Sequence, residues 1–240
     1  MISLSCPSRG RPQLAKRMID TAYDTAAGDI EFLIYLNNDD PALEEYKDTI
    51  DKKHYTVGPN RSTCYSWNLM AEKARYDYVF LAGDDIQFKT QNWDTKMVDG
   101  FTNYPDKILM AIPYDGKDKN KPKNLLDAKE PTLIGDVPFS SPHFLVHKNW
   151  INTLGYFVPP FFWHWYVDTY TQKVSRKLNR CLYLPDVTIK AKKVFDDTGK
   201  QVRKHLDINF RDDYVWSKIR ERHLNADVEA LKKFIKDFKK

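Results

Sequence analysis

Two adjacent acids, Asp84 and Asp85, follow the apolar run Tyr78-Val79-Phe80-Leu81-Ala82 and a glycine, Gly83. A short apolar run rich in aromatic and branched residues and ended by Gly reads as a buried strand that delivers both carboxylates to its exposed C-terminal end. That end is where open α/β sheets bind ligands. Neighbouring carboxylates repel unless a cation lies beside them, and Mg²⁺ or Mn²⁺ held by one or two carboxylates plus substrate phosphates meets that need. The competing reading is a surface turn, because Gly-Asp pairs are common turn formers.

Around this pair the chain alternates strands and helices. Ile2-Ser3-Leu4-Ser5-Cys6 reads as a first strand running into the basic loop Pro7-Ser8-Arg9-Gly10-Arg11-Pro12, after which Leu14, Met18, Ile19 and Ala22 recur at helical spacing. Residues 31–36 read as a second strand closed by the polar turn Asn37-Asn38-Asp39-Asp40-Pro41, and Trp67, Met70, Ala71 and Ala74 stripe a helix that starts after Ser62. Strand candidates follow at 108–112, 144–146 and 182–189, and a helix runs from Asp168 through Tyr170, Val174 and Leu178. Such alternation predicts a mostly parallel sheet whose loops converge on one edge. The charged, turn-rich segment 115–124 reads as a mobile surface loop and a lid candidate, whereas 191–212 is polar and weakly periodic and specifies no firm element.

The order and spacing of these pieces resemble the GT-A-fold glycosyltransferases that use nucleotide-sugar donors. The resemblance is carried by Ser5 to Pro12 as first-strand loop, Asn37-Asn38-Asp39-Asp40 as second, and Leu81-Ala82-Gly83-Asp84-Asp85-Ile86 in place of the family's Asp-x-Asp element. Trp93-Asp94 is similar to a continuation seen in short microbial and phage members. Leu154-Gly155-Tyr156-Phe157 followed by Trp165-Tyr166-Val167-Asp168 looks like the acceptor-side segment that carries the family's catalytic carboxylate. The likeness implies an α/β, GT-A-like, Rossmann-type, mostly parallel central sheet flanked by helices. It implies a domain over 1–190, with a donor half near 1–100 and an acceptor half near 101–190, and a basic C-terminal extension with an amphipathic helix over 191–240.

Under that resemblance the residues acquire expected roles. A sugar diphosphate leaves with charge developing on its β-phosphate oxygen, which calls for a divalent cation, Mn²⁺ or Mg²⁺, and for donors already aimed at that oxygen. Asp85 is the first choice as metal ligand, with Asp84 on the sugar or ribose or touching the metal through water. Pro7 and Ser8 lead into the donor loop. Arg9 and Arg11 flank Gly10 at the sheet's C-terminal edge and can clamp phosphate, unless they are surface arginines at a helix start. Asn38 and Asp39 fall where the family meets base and ribose, or form a simple turn, and Arg61 is a further candidate for donor phosphates.

On the acceptor side the resemblance makes Asp168 the general base that takes the proton of an acceptor hydroxyl, allowing in-line attack with inversion. Without it, Asp168 reads equally as a helix cap. His164 shares that work or is structural. Trp163 and Trp165, inside the run Phe161-Phe162-Trp163-His164-Trp165-Tyr166, could stack on a sugar or nucleobase, while core packing claims about half of such rings. One departure stands out. Many members carry a late histidine that completes the metal site, and this chain reads Lys190-Ala191-Lys192-Lys193 there. A lysine would then neutralise diphosphate without metal, or His205 would reach back as a ligand.

The expected partner is a nucleotide-sugar donor, a UDP-sugar first. The acceptor is a hydroxymethylated base of phage DNA, entering as a flipped nucleotide, or else a glycan or small glycoside. A non-catalytic nucleotide-sugar or DNA-binding module of the same fold is the alternative of a different class. The net charge of +5 resides wholly in residues 186–240, which hold 15 Lys+Arg against 10 Asp+Glu. Those lysines either attract nucleic acid or line the wet face of a docked helix whose stripe is Val228, Leu231, Phe234, Ile235 and Phe238. Cys6, Cys64 and Cys181 make neither a zinc pattern nor a disulfide framework, which favours a reducing cytoplasm, the host's if the chain is phage-encoded. No run approaches the ~18 apolar residues of a membrane span, and the N-terminus opens on a core strand rather than a signal peptide.

Overall fold

A computed structural model of the protein describes residues 1–116, 121–135, 141–191 and 206–239. Strand β1 (Ile2–Ser8) is buried along almost its whole length and pairs in parallel with β2 (Ile30–Asn37). Helix α1 (Pro12–Thr25) makes the crossover; its proline sits at the first turn, where a missing N–H costs nothing, and Met18, Ile19 and Ala22 face the sheet as their spacing predicts, joined by Ala15, while Leu14 of the expected stripe is only half-buried. Helix α2 (Leu43–Thr49) leads to β3 (Tyr55–Gly58), parallel to β2. Helix α3 (Thr63–Glu72) is capped by Ser62, whose Oγ accepts the Tyr65 N–H at 3.0 Å, and returns the chain to β4 (Tyr78–Leu81) on the other flank of β1. The order β3-β2-β1-β4 therefore reverses between β1 and β4, and a crevice opens at the carboxyl ends of those two strands.

Beyond β4 come β5 (Ile86–Phe88), α4 (Trp93–Asp99), β6 (Met110–Tyr114), α5 (Lys123–Leu126), β7 (Thr132–Leu133), β8 (Phe144–His147), α6 (Lys148–Leu154), α7 (Val167–Lys177) and β9 (Cys181–Ala191). The nine strands described form one sheet in the order β3-β2-β1-β4-β8-β6-β9-β5, with β7 against β9. β8 runs antiparallel to β4 and β6, while β6 and β9 are parallel. The strand read over 182–189 is β9, 11 residues long, with one more residue at its start and two at its end. Side chains of β4 alternate as a pleat requires: Phe80 enters the core under α1 with Met18, Phe32 and Trp93, and Val79 and Leu81 enter the opposite core with Phe144, Trp150 and Tyr170.

The Trp93-Asp94 pair has a structural use. The indole N–H donates to the Ala22 carbonyl at 3.1 Å, and the Asp94 carboxylate accepts the N–H groups of Ala27 and Gly28 at 2.8 and 2.9 Å, which pins the turn between α1 and β2. At the chain's other end, α8 (Leu206–Tyr214) continues through a π-helical turn, Val215–Ile219, into α9 (Arg220–Phe238). Leu224, Val228 and Leu231 of α9 fill the second core, Phe234 and Ile235 pack at its margin, and Lys232, Lys233 and Lys236 are exposed. Phe238, expected on the buried stripe, is 51% exposed at the helix end.

Two readings are refined. Of the segment 115–124, residues 117–120 lie outside the described residues, and Gly116, Lys123 and Asn124 are exposed, but Asp115 and Lys121 are buried and ion-paired at 2.9 Å, with the ammonium 4.1 Å from the centre of the Tyr114 ring. A buried lysine needs such compensation. The stretch 191–212, where no element was expected, ends in α8, and its residues 192–205 lie outside the described residues.

Candidate active site

Ser5 of β1 lies beside Leu81 of β4, so the two strands deliver Ser8 and Asp84 to one spot in the crevice. The Ser8 hydroxyl donates to Asp84 Oδ2 at 2.7 Å, and Arg11 Nη1 donates to Asp84 Oδ1 at 3.1 Å. Tyr46, from α2, completes the chain of bonds. Its oxygen accepts the Arg11 N–H at 2.9 Å, and with Ser8 already donating to Asp84, the Tyr46 hydroxyl donates to Ser8 Oγ at 2.6 Å. Asp84 is thus a buried anchor rather than an exposed carboxylate, and Ser8 and Arg11, expected on the donor, hold it.

Burial pushes the Asp84 carboxyl up to about 6, against the opposing pull of Arg11 and Ser8. Its native pKa lies above the ~3.9 of an unfolded aspartate, so the folded state holds the extra proton between about pH 4 and pH 6 and the stability from Asp84 declines as pH rises through that window. Urea unfolding of wild type and Asp84→Asn should accordingly converge or cross: between pH 4 and pH 7 the difference shifts in the variant's favour by on the order of 2 kcal/mol. A difference constant with pH would place the carboxyl at its ordinary value.

Asp85 differs from its neighbour. It is half-buried and makes no hydrogen bond or ion pair with the described residues. Glycine at 83 keeps the space beside it open: a Cβ there would stand 3.0 Å from Asp85 Oδ1 and 3.5 Å from Cε1 of His143, the residue that precedes β8. An open cradle between a carboxylate and an imidazole fits a divalent cation that takes its remaining oxygens from a substrate phosphate and water. Among the described residues no cluster of three His, Cys, Asp or Glu side chains is arranged to hold a metal unaided. His205 lies outside the described residues.

The other donor-side candidates form a rim. Arg9 is ion-paired with Asp39, and the second Asp39 oxygen accepts from the Asn60 amide at 3.0 Å; these two bonds hold the Asp39 carboxyl below its usual range. Asn38 and Arg61 are exposed, the latter with its guanidinium 5.4 Å from the centre of the Tyr65 ring. Pro7 is half-buried within β1. Asp40 is the structural member of its turn: its carboxylate accepts the N–H groups of Gly10, at 2.8 Å, and Ala42, at 2.9 Å, and Gly10 adopts φ +66, which a glycine reaches without strain.

The acceptor-side loop is organised by a residue that the sequence did not single out. Asp212 of α8 is fully buried and accepts three backbone N–H groups, from Trp163 at 2.7 Å, His164 at 2.8 Å and Trp165 at 2.7 Å. Trp163 lies under the Arg211 guanidinium at 5.2 Å, and the Trp165 indole donates to Asn209 Oδ1 at 2.6 Å. Both indoles are partly exposed, with α8 on one side of each. Tyr166 stacks on Trp216 at 4.7 Å. Asp212→Ala strands three amide donors and is expected to destabilise the fold by on the order of 3 kcal/mol, read as a lower urea midpoint at unchanged slope. A loss within ~0.5 kcal/mol would mean that water replaces the carboxylate.

His164 pairs through Nδ1 with the Thr63 hydroxyl at 2.8 Å. Burial, joined by the Arg11 charge and opposed by Asp212, lowers its pKa, so the ring is neutral at neutral pH. The same Arg11 that holds Asp84 is therefore felt at the acceptor loop. Asp168, in the first turn of α7, has its carboxyl raised by burial against the Thr169 hydroxyl and backbone N–H bonds of its own turn. One turn on, Gln172 donates to the Ser141 carbonyl at 2.8 Å, and the Ser141 hydroxyl bonds the His143 carbonyl at 3.4 Å.

This is the architecture of the GT-A-type glycosyltransferases, a mixed α/β fold with a curled, mostly parallel sheet flanked by helices. The chain superposes on S. aureus TarS 1–349 in complex with UDP-GlcNAc with a TM-score of 0.61 at 12% identity, covering 82% of this chain and 59% of that one. It also matches the mannosyltransferase PcManGT from Pyrobaculum calidifontis in complex with GDP-Man and Mn²⁺, with a TM-score of 0.60 at 13% identity over 97% of this chain and 74% of that one. The chain thus spans less than two thirds of the TarS chain in that UDP-GlcNAc complex. No family model and no curated protein matches the sequence, and among the described residues no helix is long and apolar enough to cross a membrane.

Proposed function

We propose that the protein is a glycosyltransferase that moves a sugar from a nucleotide diphosphate, a UDP-sugar first, to a hydroxyl acceptor with inversion. The observation that carries this reading is the crevice at the β1/β4 reversal, where a braced Asp84 presents the neighbouring Asp85 beside an open cradle. The solved structures of the same fold add support, since their bound ligands are UDP-GlcNAc, UDP and GDP-Man.

In this reading Asn38, Asp39 and the Arg9 that pairs with it meet the nucleoside, and Arg11 and Arg61 meet the diphosphate. Asp85, with His143 beside it, holds the divalent cation. Mn²⁺ or Mg²⁺, when bound, offsets the negative charge that develops on the leaving diphosphate. The Ser8–Tyr46–Arg11 bonds keep Asp84 from rotating into the crevice and so fix the direction of Asp85. Asp168 accepts the acceptor's proton, and its raised pKa makes it a stronger base than a solvated carboxylate. Neutral His164 orients the acceptor, and the exposed edges of Trp163 and Trp165 offer stacking surface.

The acceptor class is a hydroxymethylated DNA base or a glycan; transfer assays on each substrate separate them. The donor reading is tested by a thermal-shift panel of nucleotide sugars with and without Mn²⁺. A true donor at a hundred times its Kd stabilises the native state by about 2.7 kcal/mol, and a panel with no response from any nucleotide sugar would refute the reading.

A further inference from the structure

On the outer edge of the sheet, where β5 is the last strand, Arg17, Gln87, Lys89 and Lys190 line a pocket of about 360 Å³. The fold brings them together from three elements. Gln87 and Lys190 face each other across the antiparallel β5–β9 pair, and Lys89 follows Gln87 by two residues and so shares its side of the strand. Arg17 reaches in from α1, one turn before Thr21, whose hydroxyl accepts the Phe88 N–H at 3.3 Å and fixes helix against strand. Gly116, at φ +74, lies against Lys190, and a Cβ there would stand 3.3 Å from Lys190 Cγ, so glycine leaves that lysine its place.

All three charged groups that line the pocket among the described residues are cationic. Independently, Nε and Nη2 of Arg17 are buried and have no hydrogen-bond partner among the described residues. Guanidinium cannot discard its charge at any ordinary pH, and leaving buried donors unmet is costly. The two nitrogens form one side of the fork that matches two oxygens of a tetrahedral oxyanion. Arg17 lies six residues beyond Arg11, about 9 Å along the α1 axis, so an anion here is a second one, separate from a group bonded to Arg11.

We propose that this pocket is a phosphate-binding site: the Arg17 side chain, whose Nε and Nη2 are closed off from solvent in the ligand-free protein, turns them onto two phosphate oxygens, and Lys89, Lys190 and the Gln87 amide close around the rest. The site stands whether or not the β1/β4 crevice takes a nucleotide sugar. It is tested by titration calorimetry with inorganic phosphate and with glycerol 3-phosphate at constant ionic strength, each with and without saturating UDP. One site is expected in all four titrations, and tighter binding of glycerol 3-phosphate would identify an organic phosphate as the ligand. Arg17→Gln removes the fork and should weaken binding by about tenfold or more, the size of a lost charge-assisted bond. Lys190→Gln and Lys89→Gln, both at exposed positions and safe for the fold, should each weaken it severalfold. Affinities unchanged in these variants, absence of binding to wild type, or loss of the site when UDP is present would each overturn the proposal.

Discussion

Asp85→Asn is expected to abolish the Mn²⁺-dependent part of nucleotide binding while leaving the melting of the ligand-free protein unchanged. The substitution keeps volume and removes charge, and Asp85 contributes no hydrogen bond or ion pair to the described fold. A divalent cation with one carboxylate removed loses its principal protein anchor, because hard cations are held by oxygen ligands and their charge. The contrast with Asp84→Asn is diagnostic: that change disrupts the Ser8 and Arg11 bonds and reads out as stability. Calorimetry of UDP binding with and without Mn²⁺ on the same preparations checks both. If the Asp85→Asn variant binds metal and nucleotide as tightly as wild type, the acidic pair is a turn.

Asp168→Asn is expected to lower turnover by about a hundredfold or more with donor affinity nearly unchanged, since a proton acceptor is needed only when the hydroxyl attacks. The pH profile carries an independent signature. Burial raises the Asp168 carboxyl, and the base must be ionised, so wild-type kcat/KM falls as pH drops through a value above the ~3.9 of a free aspartate. That acid limb should disappear in the variant. Donor affinity and turnover must be read on one preparation, because Asp168 also sits in the first turn of α7, where a carboxylate stabilises the helix. Undiminished transfer by a folded Asp168→Asn variant would pass the role to another group, His164 first.

The donor-side fold was legible because its signals are local. Apolar runs, the helical stripe of α1 and the Ser62 cap each specify an element within a few residues, and alternation then implies parallel pairing. What the pattern did not carry is strand direction on the other half: Phe144-Leu145-Val146 has the same period whichever way it runs, and β8 proved antiparallel to both neighbours. Candidate residues were found more readily than their relations. Ser8, Arg11 and Asp84 were each singled out for a ligand, yet they bond one another, a consequence of β1 and β4 being adjacent. Tyr46 escaped notice because α2 is short and offers one buried face residue. Asp212 was invisible for a deeper reason: its partners are backbone amides 47 to 49 positions away, and main-chain donors have no sequence signature. The one available hint was an acid in a weakly apolar stretch close to an aromatic helix, which is too common to discriminate.

Asp212 also sets a temporal order on the making of this protein. During synthesis, chains emerge amino end first at about 5–20 residues per second. The parallel strands β1 to β4 and the Asp84 brace are complete once residue 84 is out. The amides of Trp163, His164 and Trp165, by contrast, acquire their shared acceptor only when residue 212 has left the ribosome. A nascent or truncated chain that stops after β9 therefore owns its acidic pair but lacks the clasp that shapes the acceptor loop. The acceptor loop takes its shape only when α8 has emerged.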